Sequence, residues 1–317
     1  MAGGGSDGGG DGGGDRGGHQ GLGGRRDGRG GSGGGSGGGG DHRGHVRAEA
    51  RRAGPGRAAP WRRPEDAEDA TVWLFGLHAV REALENPARV RRRLILTRNA
   101  ADRLAEAVAA SGMTPEIADP RRFTAPLDPA SVHQGAALEA EPLDWGDVSS
   151  RCRPLPDDPA PVALLLDRVT DPHNVGAMLR SAEVFGARAV IAPRRHSAPE
   201  TGALAKAASG ALERQPYLRP PNLARAMSAL KEMGYALIGL DGAAGLALPE
   251  AVAATGRRPL GLVLGAEGAG LRELTAKTCD SLAAIPAASA FASLNVSNAA
   301  AVALHLAHAR RNVAGRD

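Results

Sequence analysis

Three stretches of this 317-residue chain gather side chains able to work on a polar substrate, and each directly follows an apolar run. The first is Asp167-Arg168-Val169-Thr170-Asp171-Pro172-His173-Asn174-Val175-Gly176-Ala177-Met178-Leu179-Arg180. The amide of Asn174 can orient a hydroxyl, and the guanidinium of Arg180 can hold a phosphate. Their spacing puts them within two helical turns but not on one stripe. Taken alone, a helix cap and a solvated charge is the plainer reading. His173 invites a role as base or metal ligand, but no second His or Cys stands at ligand spacing, so it is given none.

The second stretch is Gly265-Ala266-Glu267-Gly268-Ala269-Gly270. Its glycines run G-x-x-G-x-G, which is not the G-x-G-x-x-G of a dinucleotide site, and no G-K-[ST] is present. Glycines after a strand let backbone approach a ligand closely, although a plain strand-to-helix turn looks the same. The third is Ile285-Pro286, then Ser289, Phe291 and Ser293-Leu294-Asn295-Val296-Ser297-Asn298. Ser293 or Asn295 alone could cap a helix, but four polar groups in six residues exceed what one cap needs.

These turns need elements to carry them. Val162 to Leu166, Ala189 to Ala192, Tyr235 to Leu240, Leu260 to Leu264 and Leu282 to Ile285 read as strands. Between and after them, Asn174 to Phe185, Asn222 to Met233 and about Asn295 to Arg311 read as helices, the first two ended by Gly186 and Gly234. Such alternation predicts a parallel sheet with helices on both faces. Ligands of such sheets sit at the carboxyl ends of the strands, where all three polar stretches fall. Residues 72–142 read as a smaller α/β unit. It has an apolar run at Val72 to Gly76, a helix through Leu77, Val80 and Leu84, and a strand at Arg93 to Thr97. An alanine-rich helix from Ala101 to Ser111, stopped by Gly112, and strands at Glu116 to Ala118 and Gly135 to Glu139 complete it. Pro154, Pro156 and Pro159 mark 143–159 as a linker, leaving 160–313 as the larger unit.

Composition separates off the remainder. Of the 45 glycines, 27 fall in residues 1–70, a Gly/Arg/Asp tail with almost nothing apolar to bury. Ordering entropy should win there, so the tail is expected to be disordered, either as a loose RNA-contacting arm or as a solubilising segment. The net charge is only +4, yet just three of the 39 cationic residues are lysines. Arginine's planar fork suits phosphates, although a GC-rich coding bias explains much of the same excess. No apolar stretch is long enough to span a membrane, and the first residues lack the pattern of a secretory signal. Two distant cysteines, Cys152 and Cys279, offer neither a disulfide framework nor a zinc site, so a reducing cytoplasmic setting is expected.

Together the three stretches resemble the motifs of the SpoU/TrmH branch of the SPOUT RNA 2′-O-ribose methyltransferases. Asp167-x-Val169-Thr170-Asp171-Pro172-His173-Asn174-x-Gly176-Ala177-x-x-Arg180-Ser181-Ala182 looks like the first motif and Gly265-Ala266-Glu267-Gly268 like the second. Ile285-Pro286 with Ser293-Leu294-Asn295-Val296-Ser297 looks like the third. Phe75-Gly76-Leu77-His78-Ala79-Val80 and His133-Gln134-Gly135 resemble the start and end of the family's small RNA-binding domain, an L30e-like fold. The likeness covers residues 72–313 and departs at Asn298, where the family usually has an apolar residue; the glycine-rich tail has no counterpart.

The resemblance implies a parallel sheet closed by a C-terminal trefoil knot and a homodimer formed through the knotted domain. It implies S-adenosylmethionine as cofactor, held mostly through backbone groups at Leu240, Gly242, Gly265, Ile285 and Leu294, and no metal. It implies methyl transfer to a ribose 2′-hydroxyl of 23S rRNA, most like members acting on a guanosine, with no DNA or membrane partner. Arg180 would sit at the reacting hydroxyl. Because free arginine is too basic to take a proton, it would bind the adjacent phosphate and lower the hydroxyl's pKa. Asn174 and Asn295 would orient the ribose and Arg180, Glu267 would hold the loop or the arginine, and Ser293 would hydrogen-bond the reacting nucleotide. A tRNA ribose is the alternative substrate, which the extra unit at 72–142 argues against. A non-catalytic RNA-binding protein is the other alternative, which the presence of Arg180, Glu267 and Asn295 argues against.

Overall fold

The computed structural model describes residues 71–288 and 294–314. The tail expected at 1–70 lies outside the described residues. A four-stranded sheet comes first, built from β1 (Val72–Phe75), β2 (Arg91–Leu96), β3 (Glu116–Ile117) and β4 (Ala136–Ala140) in the order β1-β4-β2-β3. Strand β4 runs antiparallel to both β1 and β2, whereas β3 is parallel to β2. Helix α1 (Leu77–Glu85) buries Leu77, Val80 and Leu84, the stripe expected from their spacing. The single helix expected from Ala101 to Ser111 is divided into α2 (Arg98–Arg103) and α3 (Ala105–Ser111). Between them Leu104 leaves helical geometry and is buried, so core packing overrides the alanine run's propensity.

Residues 143–159, expected as a linker, carry the short helix α4 (Val148–Arg151) and the buried Cys152, both packed in the core of the larger sheet. That sheet is six-stranded and parallel. Its strands are β5 (Val162–Asp167), β6 (Ala189–Ile191), β7 (Tyr217–Leu218), β8 (Ala236–Leu240), β9 (Leu260–Gly265) and β10 (Ser281–Ala283). Their order is β10-β8-β9-β5-β6-β7. Every residue of β5 is buried, as the unbroken Val-Ala-Leu-Leu-Leu run of a strand covered on both faces requires.

Helix α5 (Pro172–Val184) begins two residues before the expected Asn174. Asp171 accepts a hydrogen bond from the His173 N–H, and Pro172 supplies a first position preset for the helix. No element was read between Ala192 and Asn222, yet α6 (Gly202–Ala208) and a 3₁₀ turn at Ala211–Glu213 lie there with β7. Helix α7 (Leu223–Glu232) is capped by Asn222, as expected. Helices α8 (Leu248–Ala254) and α9 (Glu273–Thr278) are short and were not foreseen. The last helix, α10 (Val296–Ala314), packs on α5 and α8. Asn298 is exposed on it, so this polar departure costs no burial.

Helix α6 lies between α5 and β1 and so joins the two sheets. The contact is close: a Cβ added to Gly202 would sit 2.3 Å from the Trp73 carbonyl oxygen and 2.4 Å from Phe75 Cδ1. Gly202→Ala is therefore expected to destabilise the fold by about 1–3 kcal/mol. Calorimetry should read this as a Tm several degrees lower; an unchanged Tm would contradict the close approach. Beside this joint the wholly buried Arg89 side chain meets Glu213 at 2.7 Å and Glu200 at 2.5 Å. It also donates to the Glu141 carbonyl at 2.7 Å.

Candidate active site

The site is assembled at the carboxyl ends of the parallel strands. Asn174 is the third residue of α5, reached from β5 through the Asp171-Pro172 start. Glu267 stands in the turn after β9, next to β5 in the sheet. Asn295 precedes α10, and its Oδ1 accepts the Ser297 N–H at 2.9 Å, which caps that helix. These three residues, far apart in the chain, form one network. Asn295 Nδ2 donates to Glu267 Oε1 at 2.6 Å and to Asn174 Oδ1 at 3.1 Å. Asn174 Nδ2 donates to the same Glu267 oxygen at 3.2 Å. Glu267 thus aligns two amides, which leaves one Asn174 N–H for an outside acceptor.

The Glu267 turn is held from below. A Cβ on Gly265 would lie 2.1 Å from the Gly270 carbonyl carbon, so the chain can fold back over this position only with glycine. Asp167, at the buried end of β5, accepts from the Arg272 backbone N–H at 3.1 Å and from Arg272 Nε at 2.7 Å. The sequence reading assigned no role to this pair, whose partners are 105 residues apart. An Asp closing an apolar strand was the only available signal.

Arg180 lies elsewhere. Six residues correspond to about 120° around the helix axis and roughly 9 Å along it, so Arg180 faces away from Asn174. It borders a shallow groove with Ala177, Ser181, Val184 and Phe185. Among the described residues it has no hydrogen-bond or ion-pair partner, so Glu267 holds the two amides and not this guanidinium. Ser293, with Ser289 and Phe291, lies outside the described residues.

Of the five positions expected to hold a cofactor, Leu240, Gly242, Gly265 and Ile285 lie at or just after the ends of β8, β9 and β10, and Leu294 directly precedes Asn295. Leu240 ends β8 beside Ala283 of β10, and Ile285 lies two residues further on. Both are half-buried against the core, Leu294 is exposed, and nothing lies within 4 Å of where a Gly242 Cβ would be. Apolar side chains at Leu240 and Ile285 with open space at Gly242 are chemically compatible with the flat, uncharged base of a nucleoside. Among the described residues no group of three or more His, Cys, Asp or Glu is placed to hold a metal ion.

Residues 161–305 match the profile of the SpoU rRNA Methylase family, and residues 73–145 match that of RNA 2′-O ribose methyltransferase substrate binding. The 23S rRNA (guanosine-2′-O-)-methyltransferase RlmB of Ralstonia nicotianae is 39% identical over 244 residues, covering 76% of this chain and 96% of that protein. The chain belongs to the SpoU methylase family. RlmB of Escherichia coli is 38% identical, over 75% of this chain and 98% of its own length. A tRNA/rRNA methyltransferase of Synechocystis sp., described as uncharacterized, is 37% identical, and the match spans 65% of its length. The fold is shared with the SpoU methyltransferase AviRb of Streptomyces viridochromogenes, with TM-score 0.62 and 23% identity over 77% of this chain and 91% of that one. The SpoU match begins just before β5, ends within α10 and encloses Asn174, Glu267 and Asn295. The substrate-binding match spans β1 to β4.

Proposed function

We propose that this SpoU protein transfers a methyl group from S-adenosylmethionine to the ribose 2′-hydroxyl of a guanosine in 23S rRNA. The convergence of Asn174, Glu267 and Asn295 at the carboxyl edge of the parallel sheet carries the reading. The names of the RlmB relatives support the substrate. AviRb in complex with the cofactor AdoMet, a relative in fold, supports the cofactor.

When bound, S-adenosylmethionine supplies a methyl already activated on a sulfonium. Leu240, Gly242, Gly265, Ile285 and Leu294 would hold it. The protein must then align the hydroxyl and ease its proton away. Asn174 and Asn295, set by Glu267, orient the ribose. Ser293 hydrogen-bonds the reacting nucleotide. Arg180 binds the neighbouring phosphate, and its positive charge lowers the hydroxyl's pKa so that the proton leaves to solvent.

The placement of Arg180 favours action between copies. Val184 beside it is 73% exposed, a large apolar side chain left in solvent at the same groove. A homodimer through the unit at 160–313, closed by a trefoil knot, would cover this groove and carry Arg180 of one protomer toward the site of the other. The unit at 72–142 reads as a ribosomal-protein-like RNA-binding domain, and the cytoplasm is the compartment. No helix among the described residues is long and apolar enough to cross a membrane.

The test is transfer of labelled methyl from S-adenosylmethionine to 23S rRNA and to tRNA, with the product mapped by primer extension at low nucleotide. Incorporation at one 23S guanosine is expected. Label found only in tRNA, or in neither RNA, overturns the reading.

A further inference from the structure

The Glu267 turn needs more than the amide network to keep its place. Glu267 and Asn295 are exposed, and hydrogen bonds open to water contribute little net stability. Nor is the turn stiff in itself. Gly268 and Gly270 take left-handed backbone, at φ 77° and 65°, and glycine has more conformational freedom to lose than any other residue. Within the turn the Ala269 N–H donates to the Glu267 carbonyl and the Gly270 N–H to the Ala266 carbonyl, each at 2.9 Å. Those bonds shape the loop but do not fix it to the sheet.

Asp167 supplies the fixed point. Its side chain is fully buried, whereas that of Arg272 is exposed. In the sheet Asp167 is the register partner of Gly265, where the turn leaves β9. Its carboxylate reaches the other end of the turn, at Arg272, just before α9. There Oδ2 accepts the backbone N–H at 3.1 Å, and Oδ1 accepts both Nε and Nη2 of the guanidinium at 2.7 Å. One residue therefore clasps both ends of the loop that carries Glu267. The same residue opens the segment that leads through Asp171 and Pro172 to Asn174. Both carboxylate oxygens face donors. An amide of the same size could not match them, since its nitrogen would itself donate toward one.

Resting on the methyl-transfer reading above, we infer that Asp167 is a positioning residue for the reaction, acting through Arg272 to set the place of Glu267. Glu267 in turn sets the amides of Asn174 and Asn295. The buried ion pair fixes from beneath what the exposed network cannot fix from above, so both halves of the network are referred to the end of one strand.

The experiment measures single-turnover methyl transfer to 23S rRNA at saturating S-adenosylmethionine. It compares the full chain with its Asp167→Asn, Glu267→Gln and doubly substituted variants. Asp167→Asn should cut the rate by about 10–100-fold, the scale of a displaced catalytic geometry, while calorimetry finds S-adenosylmethionine affinity unchanged. In the Glu267→Gln background the same substitution should cost little more, because its effect passes through Glu267. Arg272→Gln, on the exposed partner, should reproduce the loss, and Arg272→Lys should recover part of it. Should Asp167→Asn not fold, Arg272→Gln takes its place in the cycle. Hydrogen exchange across residues 266–272 should quicken in the variant while β5 and β9 keep their protection. An additive loss in the Glu267→Gln background overturns the inference, since a merely structural role predicts it. An unchanged rate with unchanged exchange, or a parallel loss of cofactor affinity, overturns it too. Wild-type protein that transfers no methyl defeats the enzyme reading, and exchange then decides whether Asp167 holds the turn.

Discussion

Arg180→Ala is expected to cut methyl transfer by about 10²–10³-fold while leaving S-adenosylmethionine affinity unchanged. The split follows from position. Arg180 is exposed on a face of α5 turned away from Asn174, and the positions proposed for the cofactor include Leu240 and Ile285 at the ends of β8 and β10. Single-turnover assays at saturating cofactor, paired with calorimetric titration, measure both quantities. Comparable turnover in the variant refutes the role, and a parallel loss of cofactor binding refutes the spatial separation. If the arginine acts between copies, mixing inactive Arg180→Ala with inactive Asn295→Ala protein should restore part of the activity. A hybrid pair then holds one site with both groups intact.

The largest stability effect is expected at Arg89. Arg89→Met removes the one guanidinium between Glu200 and Glu213 and leaves two buried carboxylates facing each other. Breaking a buried charge cluster in this way costs about 3–5 kcal/mol, or a Tm fall on the order of 10 °C. The pH dependence has a definite sign. Burial already pushes the Glu200 carboxyl above its usual range, and the Arg89 charge opposes that rise. Without Arg89 the folded pKa of Glu200 rises further above its unfolded value. A carboxyl with a raised folded pKa destabilises most once pH exceeds that value. The deficit of the variant should therefore be larger at about pH 8 than at about pH 5 in paired denaturation curves. A deficit that is equal at both, or larger in acid, would contradict the cluster's charge state.

The local elements were legible because their signals are local. The apolar run at Val162 to Leu166, the cap at Asn222 and the αL glycine at Gly112 are each read within a few residues. The short helices α6, α8 and α9 were missed because small residues and few turns give no amphipathic stripe. The candidate site was half legible. Polar and glycine residues interrupting apolar runs pointed to the loops of Asn174, Glu267 and Asn295, but nothing local said they touch. Asp167 with Arg272, and Arg89 with its two acids, left no trace in spacing, since their partners lie more than a hundred residues away.

The chain by itself therefore determined where the polar and glycine-rich turns lie and that they end strands of a parallel sheet, because periodicity and turn composition are short-range properties. Strand order decided the rest. Placing β9 against β5 brings Glu267 to Asn174, and the start of α10 brings Asn295 to both. The same helix that presents Asn174 turns Arg180 to another face. Those choices belong to the tertiary structure because they depend on which apolar faces bury one another, and the same alternating pattern would fit several strand orders.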